Sequence, residues 1–478
     1  MRITLVHPTG SNWIPGRRDI TATANRMVPL GLLSMAAWLE KAGHSVQLLD
    51  CLGPDAPSGT DRQADTILSQ RPELVGISAT TSGFLDGYEL ARRIKARAPE
   101  VRTVFGGVHI SAMGGVLLDR FAAIDCLCMG EGEQTLAELA DGRPLKDIDG
   151  LIWRGIDGVI VNRPRDPIAD LDDLPFPAYE NLDGFPHKYN LPLFSYIRKP
   201  GATMVASRGC PYQCSYCDRS VFQRGYRYNS AGYVYAHLKY LRQRFGIRHV
   251  NIYDDLFTLH RKRIFDLCDR LAKKPLGMQF NCAVRVGYAD DDLLDALKAA
   301  GCLMVSVGIE TGDADMMDTH KPGVKIDAVR DTVGRLRKKG LRVKGLFMMG
   351  LPGETEASIE KTSDFVLSLG LDDMNMSKFT PFHGAPIWQR VHEEGVFTED
   401  WRQMNCLNFV YIPAGIDSRE TLDNLYNRHV KRFYTDRLWR KRFTKRLWQH
   451  RWSLWHLVRH LPTFIEAKRA FEPKPESN

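Results

Sequence analysis

Two stretches of this 478-residue chain alternate short apolar runs with segments of helical periodicity. The runs are rich in Val, Ile and Leu and nearly continuous, which predicts strands buried on both faces, as in a parallel sheet covered by helices. One stretch covers residues 1–150 and the other covers residues 201–390. Because a single core stops growing near about 250 to 300 residues, we expect two α/β domains.

The first stretch contains five predicted strands, at residues 3–6, 46–49, 74–78, 101–105 and 125–129. Five βα units predict a flavodoxin-like, doubly wound domain, in which ligands bind beyond the carboxyl ends of the strands. Small and polar residues occupy four of these loops, and glycine there lets a large flat ligand or its phosphate tail approach the backbone. Any one loop could be turn chemistry alone, but four together predict a binding edge. The candidates are Thr9, Gly10, Ser78, Thr80, Gly106, Gly107, His109, Gly130, Glu131 and Gly132.

Residues 151–200 are predicted to connect the two domains. Residues 151–162 indicate a hairpin that turns on Asp157 and Gly158. Seven prolines follow between residues 163 and 200, and they exclude long helices and central strands. Six further βα repeats then predict a partial (β/α)6 barrel, whose functional groups lie at the carboxyl ends of its strands. Its predicted strands are residues 203–207, 249–253, 279–283, 304–307, 343–348 and 373–378.

Three cysteines, Cys210, Cys214 and Cys217, directly follow the first predicted barrel strand. Thiolates are the preferred ligands of iron–sulfur clusters, and three of them leave one iron free to bind a further ligand. A zinc site would need a fourth Cys or His at ligand spacing, and the nearest later cysteine is Cys268. Zinc and a trio of buried thiols remain as alternatives. Ten cysteines in 478 residues are too few for a disulfide scaffold.

The Cys-x-x-x-Cys-x-Tyr-Cys pattern resembles the radical S-adenosylmethionine (SAM) superfamily. The resemblance implies a [4Fe–4S] cluster on the three cysteines, with SAM chelated by the open iron and Tyr216 against the adenine. It also implies SAM contacts at other strand ends, with carboxylates for the ammonium group or ribose hydroxyls, an arginine for the carboxylate and a glycine for close backbone approach. These residues are Asp254, Asp255, Arg285, Glu310 and Gly350.

The first domain resembles the cobalamin-binding domain of the B12-dependent subgroup of that superfamily. The resemblance rests on Pro29-Leu30-Gly31 and on the loops at residues 106–109 and 130–133. It implies that Leu30 and the ten loop residues named above contact cobalamin. The Asp-x-His-x-x-Gly motif is absent, so cobalamin is expected with its nucleotide tail displaced and with neither His7 nor His109 on cobalt.

Together the two resemblances imply a cobalamin-dependent radical SAM methyltransferase. The expected substrate is an unactivated carbon of a hydrophobic polycyclic molecule, with a hopanoid-type lipid favoured by analogy with hopanoid C-3 methylases. Alternatives are a tetrapyrrole oxidative cyclase, a bacteriochlorophyll methylase, and a non-catalytic scaffold that binds membrane or RNA. A methylthiotransferase would place a second cluster on Cys51, Cys126 and Cys128, but their apolar surroundings favour burial. An electron donor such as flavodoxin or ferredoxin is expected as a partner.

The net charge of +8 is concentrated in the C-terminal region, residues 391–478, which is predicted to contain basic aromatic helices. Residues 428–478 hold 14 Lys or Arg against 4 Asp or Glu. Trp448, Trp452 and Trp455 share one helical face, which favours peripheral contact with an anionic membrane through residues 428–460 over nucleic acid. A helix that caps the barrel with its tryptophans in the core is the alternative. Since no apolar run is long enough to span a membrane, we expect a cytoplasmic protein, with the inner membrane face as a peripheral location.

Overall fold

The computed structural model describes residues 1–10, 25–462 and 465. Its first sheet has seven strands in the order β2-β1-β3-β4-β5-β6-β7, and the first five are parallel. This is the predicted flavodoxin-like order, with the strand-order reversal beside β1. The strands are β1 (Arg2–His7), β2 (Ser45–Asp50), β3 (Leu74–Ser78), β4 (Arg102–Gly106), β5 (Cys126–Cys128), β6 (Leu151–Gly155) and β7 (Gly158–Val161).

Helices cover this sheet with apolar faces. Leu32, Leu33, Ala36 and Leu39 are the buried face of the first helix, which follows Pro29 as predicted. The antiparallel hairpin β6–β7 extends the sheet beyond β5, so a segment that the sequence assigned to the connection lies within the first sheet. The helices are α1 (Leu30–Lys41), α2 (Thr60–Ser69), α3 (Phe84–Arg97), α4 (Val108–Met113), α5 (Val116–Arg120) and α6 (Glu133–Ala140).

The second sheet has six parallel strands in the order β15-β14-β13-β12-β11-β8, which confirms the partial barrel. Its strands are β8 (Gly201–Met204), β11 (His249–Ile252), β12 (Gln279–Val284), β13 (Cys302–Glu310), β14 (Arg342–Met349) and β15 (Asp373–Lys378). A two-stranded ladder, β9 (Ser207–Arg208) with β10 (Arg227–Tyr228), follows β8. The outer helices are α7 (Ala231–Phe245), α8 (Arg261–Lys273), α9 (Asp291–Ala299), α10 (Ala314–His320), α11 (Ile326–Lys338) and α12 (Glu356–Leu369).

The proline-rich connection packs against both domains. The buried Tyr179 donates a hydrogen bond to the carbonyl of Thr203 at 2.9 Å, at the edge of the barrel. The Tyr189 hydroxyl donates to Asp50 of the first sheet at 2.8 Å. These contacts bury aromatic side chains between the two sheets and so fix the domains relative to each other.

The C-terminal region begins with a small ladder, β16 (Gly395–Phe397) with β17 (Tyr411–Pro413), and continues with α13 (Arg419–Thr435), α14 (Arg437–Arg446) and α15 (Arg451–Arg459). Part of its charge is paired with the barrel, since Arg428 and Arg432 bind Glu360. Trp448, Trp452 and Trp455 are 79%, 47% and 57% exposed, so the alternative that buried them in the core is wrong. Within the described ranges, no helix has the length and apolar character needed to cross a bilayer.

Candidate functional site

The three predicted cluster ligands lie on one loop at the carboxyl end of the barrel sheet. Cys210, Cys214 and Cys217 follow β9 and are all partly exposed, unlike thiols that serve only as core packing. Gly209, just before the first cysteine, has a φ of +85°, and an added Cβ would lie 2.6 Å from the carbonyl oxygen of Gly225. A side chain at Gly209 would therefore displace the loop that presents the thiols.

The environment of Cys210 and Cys217 disfavours the charged form of these two thiols. Burial, with the negative charge of Asp255, raises the pKa of Cys217 to about 12 and also raises that of Cys210. A bound metal would supply the positive charge that holds these two groups as thiolates. In the part of the chain that the structure describes, no group of three metal-binding side chains converges on a single-ion position.

Four of the six residues predicted to contact SAM surround this loop. Tyr216 packs against an apolar cluster that includes Leu351 and Phe379, and burial together with the charge of Glu310 raises its pKa well above the usual range. Glu310 accepts a hydrogen bond from Lys321 at 2.8 Å and has a φ of +71°, a strained conformation typical of functional sites.

Asp255 and Arg285 complete this group. The Asp255 side chain is exposed and close enough to the cysteines to affect their charge. The Arg285 guanidinium stacks on Tyr212 of the cysteine loop, 3.5 Å from the ring centroid. One cation, Arg285, and one carboxylate, Asp255, thus lie close to the thiols, which suits the charged ends of an amino acid.

Asp254 and Gly350 have structural tasks that the sequence did not predict. Both carboxylate oxygens of Asp254 accept hydrogen bonds, from the Ala206 amide at 2.6 Å and the Ser207 hydroxyl at 2.7 Å. Burial raises the pKa of this carboxyl to about 6. These two bonds hold the residues just before the cysteine loop, and a contact of the Asp254 side chain with SAM remains a prediction.

Gly350 lies in a turn closed by Glu354, whose buried carboxyl group accepts from the amides of Gly350 and Leu351. An added Cβ at Gly350 would lie 3.1 Å from Phe409 of the C-terminal region. This glycine therefore permits close packing of the turn against the core, and the predicted approach of its backbone to SAM remains a prediction.

A buried ion-pair network joins the cysteine loop to the first domain. Arg208, two residues before Cys210, binds Glu133 at 2.6 Å and Glu131 at 3.2 Å. Glu131 also binds Arg227 of β10. Burial alone would raise the pKa of Glu133, but the Arg208 guanidinium outweighs it and lowers that pKa. Glu131, which the sequence assigned to cobalamin, therefore directs its carboxylate to the junction between the domains.

An apolar slot of about 130 Å³ lies next to this network, at the carboxyl edge of the first sheet. It runs between the sheet and α1 and is covered by Val221 and Phe222 from the segment after the cysteines. Glycine keeps the slot open, because a Cβ at Gly132 would lie 3.0 Å from the sulfur of Met35, and both residues line the slot. Six predicted cobalamin residues line it: Ser78, Gly106, Gly107, Gly130, Glu131 and Gly132.

The other predicted cobalamin residues lie apart from this slot. Leu30 lines an adjoining cavity of about 120 Å³, and the Thr9 hydroxyl donates to Asp86 at 2.9 Å, with Gly10 beside the same carboxylate.

His109 is buried among Phe84, Trp401 and His383, and burial lowers its pKa to about 3. This histidine is a neutral packing residue, and a contact with cobalamin would need its ring to leave the aromatic cluster. His7 hydrogen-bonds locally to Asp50 at 2.8 Å, as expected.

A second cavity, of about 370 Å³, lies between the two domains, and we call it the interdomain cavity. Its first wall is the loop after β3, with Thr80, and the start of α4; its second wall is Tyr216 and Asp218 of the cysteine loop. The sequence did not predict its third wall, since the segments concerned are distant in the chain and carry no motif. These residues are Phe382, Met404, Asn405 and Cys406.

Comparisons with known proteins match both halves of this site. The B12 binding domain matches residues 17–140, and the Radical SAM superfamily matches residues 204–366. An uncharacterised methyltransferase of Pyrococcus horikoshii is 30% identical over 414 residues, which cover 85% of this chain and 87% of that protein. The chain belongs to the B12-binding radical SAM family.

Relatives in the B12-binding radical SAM family carry different activities in their names. The anaerobic magnesium-protoporphyrin IX monomethyl ester cyclase of Rubrivivax gelatinosus is 26% identical to this chain. The alignment covers 98% of this chain and 84% of the cyclase. The hopanoid C-3 methylase of Methylococcus capsulatus is 24% identical, with coverages of 90% and 79%. A solved structure of similar fold is that of the radical SAM methyltransferase TsrM of Kitasatospora setae, with cobalamin and a [4Fe–4S] cluster bound. The two structures superimpose with a TM-score of 0.64 at 20% identity, and the match covers 82% of this chain and 74% of the TsrM chain.

As a member of this family the protein is a radical SAM enzyme, and its cofactors are a [4Fe–4S] cluster, SAM and cobalamin. The residues present fit these groups. The donor set is three thiols on one partly exposed loop, which suits the cluster. The slot, which is apolar and lined by glycines, suits the close approach of part of cobalamin, and its occupation by the nucleotide tail remains a prediction.

The second cluster of a methylthiotransferase finds no support in the first sheet. Cys51, Cys126 and Cys128 are 7%, 2% and 6% exposed, and burial raises the pKa of each to about 12. Such thiols behave as small apolar side chains, which confirms the burial interpretation.

Proposed function

We propose that this enzyme transfers a methyl group to an unactivated carbon of a hydrophobic polycyclic substrate, with a hopanoid-type lipid favoured. The observation that carries the proposal is the interdomain cavity. The loops at the carboxyl edge of the cobalamin domain and the cysteine loop of the barrel both open on it. A substrate there would be within reach of both halves of the cofactor set, as a methyl transfer that joins radical and cobalamin chemistry requires.

The lining of the cavity favours an uncharged substrate. Val108, Phe382 and Met404 supply apolar surface, and Met adapts to irregular apolar shapes. Asp218 is the one formally charged residue among those that line the cavity in the described ranges. A site for an anionic substrate would instead present arginine or lysine.

The residues have separable tasks. When bound, the cofactors supply a hydrogen-abstracting radical and a transferable methyl group. Cys210, Cys214 and Cys217 hold the cluster, while Asp255 and Arg285 orient the charged ends of SAM. The walls of the cavity exclude water. The family requires an external reductant, and flavodoxin or ferredoxin is the donor that we propose.

A tetrapyrrole oxidative cyclase is the second candidate. It is favoured by the similarity to the Rubrivivax gelatinosus cyclase, which extends over 98% of this chain. A flat macrocycle is also hydrophobic, so the lining of the cavity does not distinguish the two substrates. The two reactions can be distinguished by their products, because methylation adds a carbon atom from SAM to the substrate and cyclisation does not.

The test supplies SAM with a deuterated methyl group to the reconstituted enzyme, with a hopanoid or a magnesium porphyrin ester as substrate. We expect one labelled methyl group in the hopanoid by mass spectrometry. An oxidised porphyrin product without label would replace the proposal with the cyclase. Cys210→Ala should remove cluster iron and product together, whereas Cys268→Ala, which changes a buried thiol of α8, should retain both. Full turnover without iron would end either assignment.

A lipid substrate would be collected at a membrane, and the C-terminal helices suit that location. Trp448, Trp452 and Trp455 project from the surface, and the Arg451 and Arg459 guanidinium groups lie over two of these rings. Aromatic rings with adjacent cations are typical of helices that lie at an anionic bilayer surface.

Vesicle flotation tests this membrane contact. Wild-type protein should float with vesicles that contain phosphatidylserine and less with neutral vesicles. Substitution of all three tryptophans by Ser should abolish flotation, whereas Ile156→Ser, which removes a fully exposed apolar side chain from the β6–β7 turn, should not. Equal flotation of both variants would refute the contact.

A further inference from the structure

The barrel holds another cavity at the end opposite to the cysteines, with a volume of about 420 Å³. It lies where β14 and β15 begin, and α14 and the connection before β8 close it. We call it the basal cavity. It is lined by Leu193, Phe194, Met304, Arg342, Lys344, Asp372, Asp373, Met374, Tyr434, Trp439, Arg442, Phe443, Arg446 and His450.

Positive charge exceeds negative charge in the basal cavity. Asp372 pairs with Arg446, and Asp373 pairs with Lys344 at 3.1 Å. Two arginines are then left without a carboxylate partner in the described structure. Arg442 donates to the carbonyl of Leu371 at 3.2 Å, and its buried Nε has no hydrogen-bond partner. The lining therefore holds four cations against two carboxylates, and the acidic groups nearest to Arg342 and Arg442 act on them only from beyond ion-pair distance in the described structure.

Arg342 is the more constrained of the two. It is 8% exposed, and its guanidinium contacts Nε2 of His450 at 2.7 Å and the amide oxygen of Gln449 at 2.5 Å, both neutral acceptors. Burial, together with the charge of Arg342, lowers the pKa of His450 to about 4. The His450 ring is therefore neutral at neutral pH and accepts a hydrogen bond from Arg342 instead of carrying a charge that would repel it. Because arginine keeps its proton in proteins, a buried guanidinium needs an anion nearby.

Aromatic side chains line the cavity together with these arginines. Trp439 and Phe443 stack with centroids 4.9 Å apart, and Phe194 contacts Phe443 edge-on at 5.2 Å. A cavity of this size exceeds what an inorganic ion fills. A lining that combines two planar guanidinium groups with aromatic rings suits a molecule with a doubly charged head and an apolar body.

We propose that the basal cavity binds an organic phosphate dianion, with the phosphoryl group on Arg342 and Arg442 and the organic part against Trp439 and Phe443. The ligand would bridge β14 of the barrel and α14 of the C-terminal region. This site lies at the opposite end of the barrel from the cofactors, so the proposal does not depend on the methylation chemistry.

Calorimetric titration of the reconstituted enzyme at constant ionic strength tests the proposal with 1-naphthyl phosphate, inorganic phosphate and 1-naphthol. We expect naphthyl phosphate to bind at least tenfold more tightly than either of the other two probes. Arg442→Gln should weaken its binding at least tenfold, because a charge-assisted contact is lost. Arg440→Gln, an exposed arginine on the same helix, is the matched control and should bind as the wild type does.

Arg342→Gln should weaken binding as well, and the partly exposed Arg442 provides the test if the Arg342 variant does not fold. Equal binding by wild type and Arg442→Gln would overturn the proposal, since the phosphate would then occupy another site. Naphthol binding as tightly as naphthyl phosphate, or no binding of naphthyl phosphate at millimolar concentration, would overturn it too.

Discussion

Replacement of Arg208 by Met should destabilise the junction between the two domains. Arg208 contacts two buried carboxylates, Glu131 and Glu133. When the Arg208 guanidinium is removed, Glu131 keeps its ion pair with Arg227. Only Glu133 loses its cation, and it keeps a hydrogen bond from Ser34 at 3.0 Å. Removing one partner of a buried pair costs about 3 to 5 kcal/mol, and the remaining contacts place this case near about 3 kcal/mol.

The loss should depend on pH in a defined direction. In the wild type, burial raises the pKa of Glu133, but Arg208 outweighs it, and the pKa lies below the ordinary value of 4.5. The pair therefore stabilises the fold above the unfolded pKa, and this contribution is lost as the pH falls through the lowered folded pKa. In the variant, burial, the largest of the influences on Glu133, is opposed only by its hydrogen bonds from Ser34 and from its own backbone amide. The folded pKa should therefore exceed the unfolded one, and stability should fall as the pH rises between them. The difference between the two proteins should thus be larger at pH 8 than at pH 5.5.

The assay is denaturant unfolding of both proteins at several pH values, with equal iron and cobalamin content. The double variant Arg208→Met with Glu133→Gln should recover more than half of the loss, because no unpaired carboxylate remains. Arg335→Met, which removes an exposed partner of Asp331, should leave the free energy of unfolding unchanged. A loss below about 1 kcal/mol, or one that is constant between pH 5.5 and pH 8, would refute a buried pair at this position.

Three further predictions concern the site. His109→Phe should leave stability and cobalamin affinity unchanged, because the ring is neutral and has no hydrogen-bond partner among the described residues. A tenfold weaker affinity for cobalamin would instead support the contact between His109 and cobalamin that the sequence predicts. Asp254→Ala should lower the free energy of unfolding by about 2 kcal/mol, because the buried Ala206 amide loses its hydrogen-bond acceptor. Asp255→Ala should weaken SAM binding in a titration and leave the free energy of unfolding unchanged. The opposite pattern would assign the structural role to Asp255 and the SAM contact to Asp254. Iron analysis should give about four atoms per chain in the wild type and in Cys126→Val, and about eight in the wild type would indicate a second cluster.

The sequence predicted the strands well because their burial determines their composition. The first five strands and the barrel strands each overlap a predicted run. The cysteine loop was equally predictable, since its ligands lie within eight residues. Both kinds of signal are local in the chain.

The tasks of charged side chains were less predictable, because they depend on partners distant in sequence. Glu131 lies on a loop with the glycines of the slot, but its partners are Arg208 and Arg227. Asp254 ends a strand as a ligand would, yet it bonds to residues before the cysteine loop. Periodicity places such residues at the correct edge, whereas the direction of the side chain is decided by the fold.

The junction also explains why the two cofactor domains act as one site. Arg208 is two residues from the first cluster cysteine, and Glu131 and Glu133 adjoin the glycines of the cobalamin slot. A movement at either end is therefore transmitted through one buried ion-pair network. Since a misplacement of about 1 Å between reacting groups can lower a rate about a hundredfold, a rigid connection matters more here than the affinity of either domain for its own cofactor. The four charged side chains of this network cost more to bury than apolar ones, but their hydrogen bonds are directional and fix the relative orientation of the two loops. A fixed orientation is what a transfer between two separately held groups requires.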